Sequence, residues 1–169
     1  LKLSKNLALT YLNCSSNQLD ALDISINTKL DTLNCAQNQL SSIDLSQNKA
    51  LIDFNCSNNE LTSIDLSKNL GLSDLNCESN QITTLDLSQN IKLYKLHCAQ
   101  NQLTSLDLSK NSALRDLNCA KNKLISLNLM NINGLGFLDC SKNKLNELLL
   151  PKKFNTWEFT LNCSDNNLE

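Results

Sequence analysis

Residues 51–69 read LIDFNCSNNELTSIDLSKN, and most of the chain is built from copies of this stretch. Each copy has a first arm, LxxLNCxxNxL, and a second arm, xxLDLSxN, followed by two variable residues. The cysteines recur every 21 residues, except for the last, which follows after 23. They are Cys14, Cys35, Cys56, Cys77, Cys98, Cys119, Cys140 and Cys163. A constant period of this length predicts a solenoid, in which each repeat forms one coil and stacks on the next.

The composition follows from this repetition, with 37 Leu and 27 Asn among 169 residues and no Val. The net charge of −2 argues against a nucleic-acid or polybasic membrane surface, because phosphate binding needs clustered Lys and Arg. No run approaches the roughly 20 apolar residues of a membrane helix, so no membrane insertion is expected. One His and one Arg leave few groups for acid–base chemistry.

The first arm has the alternation of a β-strand. Leu12 and Cys14 alternate with Asn13, so one set points inward and the other outward. Stacked coils then place Leu on Leu and Cys on Cys every ~4.8 Å. Three residues after each Cys, an Asn stands where the chain turns and its backbone groups lose their ladder partners. The amide of Asn carries both donors and an acceptor, which predicts structural asparagine ladders.

The second arm has a period-2 alternation of Leu or Ile and is too short for a helix. We therefore expect short extended segments on both sides of about eight coils and very little helix. Two β-like sides predict a rather straight rod.

The pattern LxxLxCxxNxL resembles the conserved segment of leucine-rich repeats, with Cys where Leu is usual. The 21-residue period and the cysteine column resemble the cysteine-ladder branch of the bacterial internalin-type surface proteins. The match covers about residues 1–145 and returns at 161–168. The resemblance implies a leucine-rich repeat solenoid, a right-handed coil of short parallel strands. It also implies an extracellular or bacterial cell-surface protein with a role in adhesion or host interaction.

The chain reads as a single leucine-rich repeat domain over residues 1–169. It begins and stops in the middle of a coil, so we expect a fragment of a longer protein. Residues 149–160 contain Pro151 and a two-residue excess over the repeat, which predicts an irregular loop there.

Cysteine spacing argues against disulfides. Neighbouring Cys on stacked parallel strands have parallel Cβ vectors, which leaves the Cβ atoms too far apart for an unstrained bridge. One inward thiol per coil forms a line rather than the tetrahedron that a metal needs. We expect no disulfides, metal site or cofactor, and interpret the cysteines as small buried apolar residues.

The second arm carries a column of aspartates: Asp23, Asp44, Asp65, Asp86 and Asp107. Neighbouring carboxylates about 5 Å apart repel by ~0.8 kcal/mol even at the dielectric constant of water. Two explanations stay open, a strip of calcium sites and hydrogen bonding to local hydroxyls such as Ser46 or Ser67. The second is favoured because calcium ligands must surround a point.

Outward positions that change between coils converge on coils five to seven. Tyr94, Lys95, His97, Arg115, Asp116 and Phe137 form what we call the variable patch. It holds the only Arg and the only His, and aromatic residues and Arg are frequent interface anchors. The sequence therefore predicts that this patch binds a ligand.

A catalytic role is not expected, because His97 has no nucleophile on its own face and Cys98 points inward. The predicted function is a non-catalytic protein-binding module. The expected partner is another protein, such as a host surface or serum protein, or, as a less favoured choice, a glycan. A structural spacer that holds another domain away from the cell surface is the alternative.

Overall fold

In the computed structural model, which describes residues 1–153 and 158–169, the chain forms a solenoid of ten short strands. They are β1 (Tyr11–Asn13), β2 (Thr32–Asn34), β3 (Asp53–Asn55), β4 (Asp74–Asn76), β5 (Lys95–His97), β6 (Asp116–Asn118), β7 (Ser126–Asn128), β8 (Phe137–Asp139), β9 (Glu147–Leu149) and β10 (Thr160–Asn162). The described residues contain no helix, and so none long and apolar enough to cross a membrane.

The first arms build one parallel sheet of eight strands in the order β1-β2-β3-β4-β5-β6-β8-β10. Each strand pairs with the strand one coil away without a shift in register, so that Leu33 lies opposite both Leu12 and Phe54. Eight strands bound seven complete turns. The predicted leucine-rich repeat solenoid of short parallel strands is confirmed.

The core is a set of continuous inward columns. The middle residue of an inner strand of the eight-stranded sheet, such as Leu33 or Phe54, is fully buried, and so are the cysteines from Cys35 to Cys140. Full burial of one such Leu stabilises the fold by about 2 kcal/mol. A single coil cannot cover its own inward face, so stability comes from stacking between neighbours.

The corner asparagines form the predicted ladder. The Asn59 amide nitrogen donates to the carbonyl oxygens of Cys56 at 3.0 Å and of Cys35, in the preceding coil, at 3.0 Å. Its Oδ1 accepts the backbone N–H of Leu40 at 3.0 Å. One buried side chain thus satisfies backbone groups in two coils, which confirms the structural role predicted for this column.

A left-handed residue makes this corner possible. The second residue after every cysteine has φ between 53° and 56°, although none of these residues is Gly. They are Ser16, Gln37, Asn58, Ser79, Gln100, Lys121, Lys142 and Asp165. This backbone region is costly for most side chains, and the inter-coil hydrogen bonds around it hold the chain there.

The second asparagine column is only half satisfied. Asn69 is fully buried, and its Nδ2 donates to the carbonyl oxygens of Asn48 at 2.9 Å and Leu45 at 3.3 Å. Its Oδ1 has no hydrogen-bond partner among the described residues, and the same holds at Asn27, Asn48, Asn90 and Asn111. The column therefore acts as a donor to the preceding coil, and its acceptor half is a recurring cost of burial.

Extended second arms were predicted in every coil, and among the described residues they pair as strands at β7 and β9 alone, in parallel and in register. In the earlier coils the second arm contains a turn in which the aspartate side chain accepts the N–H two residues on, as Asp44 does from Ser46 at 2.9 Å. The predicted loop 149–160 includes residues 154–157, which lie outside the described residues, and it stays a prediction. Leu149 ends β9 and Thr160 begins β10.

Candidate binding surface

The outward side of the eight-stranded sheet presents the first and third residue of each strand as two columns. Together with the residue before each strand and the residue after each cysteine, these columns make up what we call the exposed face. The parallel register fixes every column, because each residue lies beside its equivalent one coil away.

The variable patch lies on three neighbouring strands of this face. Lys95 and His97 are on β5, Asp116 is on β6 and Phe137 is on β8, while Tyr94 and Arg115 precede β5 and β6. Tyr94 is 54% exposed and Phe137 is 36% exposed. The structure thus brings together the six residues that the sequence singled out.

Within the variable patch, Asp116 contacts both His97 and Lys95. One of its carboxylate oxygens lies 3.1 Å from His97 Nε2, and the other lies 3.7 Å from Lys95 Nζ. Lys95 and Asp116 face each other in register on adjacent strands. These contacts tie β5 to β6 through side chains as well as backbone.

The Arg115 side chain hydrogen-bonds to backbone carbonyl groups just before it in the chain. Its Nη1 donates to the carbonyl oxygens of Leu114 at 2.8 Å and Ser112 at 3.2 Å. A Cβ added at Gly134, which has φ of 95°, would come within 3.2 Å of the Arg115 Nε. The guanidinium therefore lies against a glycine of the next coil, an arrangement that sequence columns cannot reveal.

The third residue of each strand caps the turn that follows. Asn55 Oδ1, for example, accepts the backbone N–H of Ser57 at 3.0 Å. The same bond is made by Asn13, Asn34, Asn76, Asn118, Asp139 and Asn162. His97 occupies this column without that bond among the described residues, and it contacts Asp116 instead. His97 therefore makes a side-chain contact on the surface at a position where the other strands have a turn cap.

Two aspartates of the exposed face, Asp53 and Asp74, were not among the residues predicted to bind a ligand. They lie in register on β3 and β4. Burial and the neighbouring Asp74 raise the pKa of Asp53, and Lys95 partly offsets this. Such a pair can be recognised in the sequence as two aspartates at the same position of consecutive repeats. Exposed Tyr11 and Ile52 belong to the same face.

The thiols offer little reactivity on this face. The eight cysteines are unbridged, and burial raises the pKa of Cys35, Cys77 and Cys140 to about 12. Burial also raises the pKa of Cys98, beside His97 in the chain, well above its ordinary value. A thiol held in its protonated form is a poor nucleophile.

The described residues contain no group of three or more His, Cys, Asp or Glu side chains placed to hold a metal ion. On the second arm, each column aspartate accepts a hydrogen bond from the serine two residues on, as the favoured explanation predicts. Asp23, for example, accepts the Ser25 hydroxyl at 2.7 Å and its backbone N–H at 3.0 Å.

Solved structures share this fold. The functional domain of InlJ from Listeria monocytogenes, which includes a cysteine ladder, is 41% identical, with a TM-score of 0.69 over 87% of this chain. A leucine-rich repeat protein from Leptospira interrogans is 28% identical, with a TM-score of 0.79 over 84% of the chain. A Shigella effector leucine-rich repeat domain, 21% identical with a TM-score of 0.80, covers 96% of this chain and shows the fold alone.

The chain spans 38% of the InlJ domain, 39% of the Leptospira protein and 71% of the Shigella domain. No protein-family model and no curated protein matches the chain.

Proposed function

We propose that this chain, an internalin-like leucine-rich repeat protein whose buried cysteines form a ladder, is a non-catalytic protein-binding module. The contact surface is the exposed face of the eight-stranded sheet, centred on the variable patch. The module acts at the bacterial cell surface or in the extracellular medium. Its partner is a host surface or serum protein, and a glycan is the second choice.

The observation that carries this proposal is that His97 stands where the other strands of the sheet have a capping Asn or Asp. Seven of the eight strands end in an Asn or Asp that caps the following turn, and β5 ends in a histidine that faces Asp116. A strand end without a cap is less stable, so we expect the histidine at this position to contribute to partner binding instead. Exposed Tyr94 and Phe137 flank it and supply anchors of the kind that dominate interfaces.

The stacked architecture suits such a role. Each of the six inner strands of the eight-stranded sheet is hydrogen-bonded to both of its neighbours, so the face is ordered before any partner arrives. A preorganised surface loses little conformational freedom on binding, which favours affinity.

The test uses beads coated with the 169-residue chain and counts their attachment to cultured epithelial cells and to immobilised serum proteins. We expect Tyr94→Ala with Phe137→Ala to reduce attachment at least about fivefold, as loss of interface anchors does. The matched control is Ile125→Ala with Met130→Ala, which truncates two exposed apolar side chains away from the sheet face. Attachment that survives the first pair, or falls equally in both, contradicts the proposal. No attachment of the wild-type chain to any surface would favour the spacer alternative.

A further inference from the structure

The exposed face carries a charge opposite to that of the rest of the chain. It has six acidic side chains, Asp31, Asp53, Asp74, Glu78, Asp116 and Asp139, against two basic ones, Lys95 and Arg115, a net charge of −4. The whole chain has a net charge of −2, so all other residues together carry +2. Charge is therefore segregated onto the surface proposed to bind a partner.

The two basic residues only partly neutralise the centre of this face, because Lys95 lies in register with Asp74 on one side and with Asp116 on the other. Lys95 is paired with Asp116 at 3.7 Å, and the Arg115 guanidinium donates to two backbone carbonyl oxygens. Three other acids are satisfied by neutral donors. Asn118 donates to Glu78, Thr32 donates to Asp31, and the Ser141 N–H donates to Asp139.

The side-chain carboxylates of Asp53 and Asp74 have no hydrogen bond or ion pair from any residue that the structure describes, and the two residues lie opposite each other in register. Parallel strands lie ~4.8 Å apart, and like charges directly opposite each other destabilise a sheet. The pair lines a shallow groove of about 190 Å³ with Asn55, Asn76 and Lys95. The groove gives a long side chain a place to lie between the two carboxylates.

No structural task accounts for this pair. Turn capping on the exposed face is done by Asn55 and Asn76, at the ends of the same two strands. On the second arm the aspartates themselves are the caps, as Asp65 is for Ser67. Asp53 and Asp74 therefore add repulsion to the folded chain and contribute no cap.

From these observations we infer that the partner is a protein with a basic surface, whose Lys or Arg side chains lie against Asp53 and Asp74. This inference rests on the proposed function and adds the chemistry of the partner. A cation in the groove relieves the repulsion between the carboxylates, and the acidic face steers a basic partner toward it. The aromatic anchors at Tyr94 and Phe137 then contribute the apolar part of the contact.

The test measures binding of fluorescein-labelled nona-arginine by fluorescence anisotropy at low and physiological salt. We expect Asp53→Asn with Asp74→Asn to raise the Kd about tenfold at low salt, as removal of two facing charges should. The control is Asp65→Asn with Asp86→Asn, which removes two charges from the second arm. Asn keeps the capping oxygen there, as Asn128 does toward Met130 at 3.1 Å. We expect this control to change the Kd by less than about twofold, because its carboxylates lie outside the contact.

Amide chemical-shift mapping with the same peptide provides the second measurement. Shifts confined to β3, β4 and β5 support the inference. Equal weakening in the two double variants, no weakening in either, or shifts centred on the second arm would overturn it. If bead attachment still depends on Tyr94 and Phe137 in that case, the cationic partner is wrong and the proposed function stands. If bead attachment is also unaffected, both are wrong.

Discussion

At the scale of single residues, the asparagine side chain solves a problem that every coil meets twice. A chain that turns inside a stack leaves buried N–H and C=O groups without ladder partners, and a carboxamide can satisfy both kinds. At the corner after each cysteine from Cys35 onward, both the nitrogen and the oxygen of the amide are used, as at Asn59. In the second column only the donor end is used, so chemically identical residues contribute differently to stability.

Replacement of Asn101 by Ala tests the corner ladder. Asn101 Nδ2 donates to Cys77 O at 2.9 Å and Cys98 O at 3.2 Å, and its Oδ1 accepts the Ile82 N–H at 2.9 Å. We expect the free energy of unfolding to fall by about 3 kcal/mol, because several buried backbone groups lose their partner at once.

Urea unfolding followed by circular dichroism measures this change, with exposed Thr104→Ala as the control. The control should alter stability by no more than about 0.5 kcal/mol, as surface substitutions usually do. A loss at Asn101 no larger than that of the control would show that the ladder is not a main source of stability.

At the scale of elements, the two arms end in the same turn but use different caps. Among the described residues, seven of the eight first-arm strands end in Asn or Asp, five second arms carry Asp at the matching position, and in both the side-chain oxygen accepts the N–H two residues on. On the second arm, β7 and β9 are the strand pair that the described residues contain, and β7 ends in a cap of the same kind, in which Asn128 accepts the Met130 N–H at 3.1 Å. The cap is therefore compatible with strand pairing as well as with an unpaired arm.

The second-arm caps predict how stability depends on pH. Hydrogen bonds from the serine backbone N–H and hydroxyl lower the pKa of Asp44, Asp65, Asp86 and Asp107 below 3.8, and the Ser25 hydroxyl and N–H do so for Asp23. A pKa that is lower in the folded than in the unfolded chain stabilises the fold above the unfolded value. That contribution is lost as the pH falls through the folded value. We expect the melting temperature to decrease steeply below about pH 4.

Substitution of all five aspartates by Asn is the matched variant, since Asn keeps the capping oxygen and cannot titrate. Melting curves between pH 7 and pH 2.5 should show a weaker acid dependence in this variant than in the wild-type chain. Parallel curves for the two proteins would mean that other carboxylates control acid unfolding.

At the scale of the whole molecule, the stacked coils shield a column of cysteine thiols from solvent. Each cysteine from Cys35 to Cys140 is covered by the coils above and below it, and none has a relative exposure above 0%. Cys163 belongs to the last coil and is only partly buried. Position within the stack, rather than local sequence, therefore sets the exposure of a thiol.

Thiol titration with an aromatic disulfide reagent tests this protection. In the native chain at pH 8 we expect one rapidly reacting thiol, Cys163, and slow reaction of the seven cysteines that are buried. Burial raises the pKa of these thiols, and for Cys35, Cys77 and Cys140 to about 12, so the reactive thiolate is scarce at pH 8.

Cys163→Ser should remove the rapid phase, and all thiols should react once the chain is unfolded. Rapid reaction of most thiols in the native chain would contradict the buried cysteine column. Failure of the unfolded chain to react would indicate that the thiols are oxidised.

The sequence by itself determined the solenoid, the inward columns and the ladder asparagines. The reason is that a 21-residue period makes each residue the neighbour of its own copy, so register follows from spacing alone. The same spacing placed the variable patch on neighbouring strands.

Only the tertiary structure decided how long and polar side chains use that scaffold. It placed the Arg115 guanidinium against nearby backbone carbonyl groups and joined His97 to Asp116. It also left the carboxylates of Asp53 and Asp74 without a hydrogen bond from any described residue. Within the part of the chain that it describes, it also limited second-arm strand pairing to β7 and β9. These outcomes depend on rotamers and on contacts between different positions of adjacent coils, which a repeat pattern does not specify.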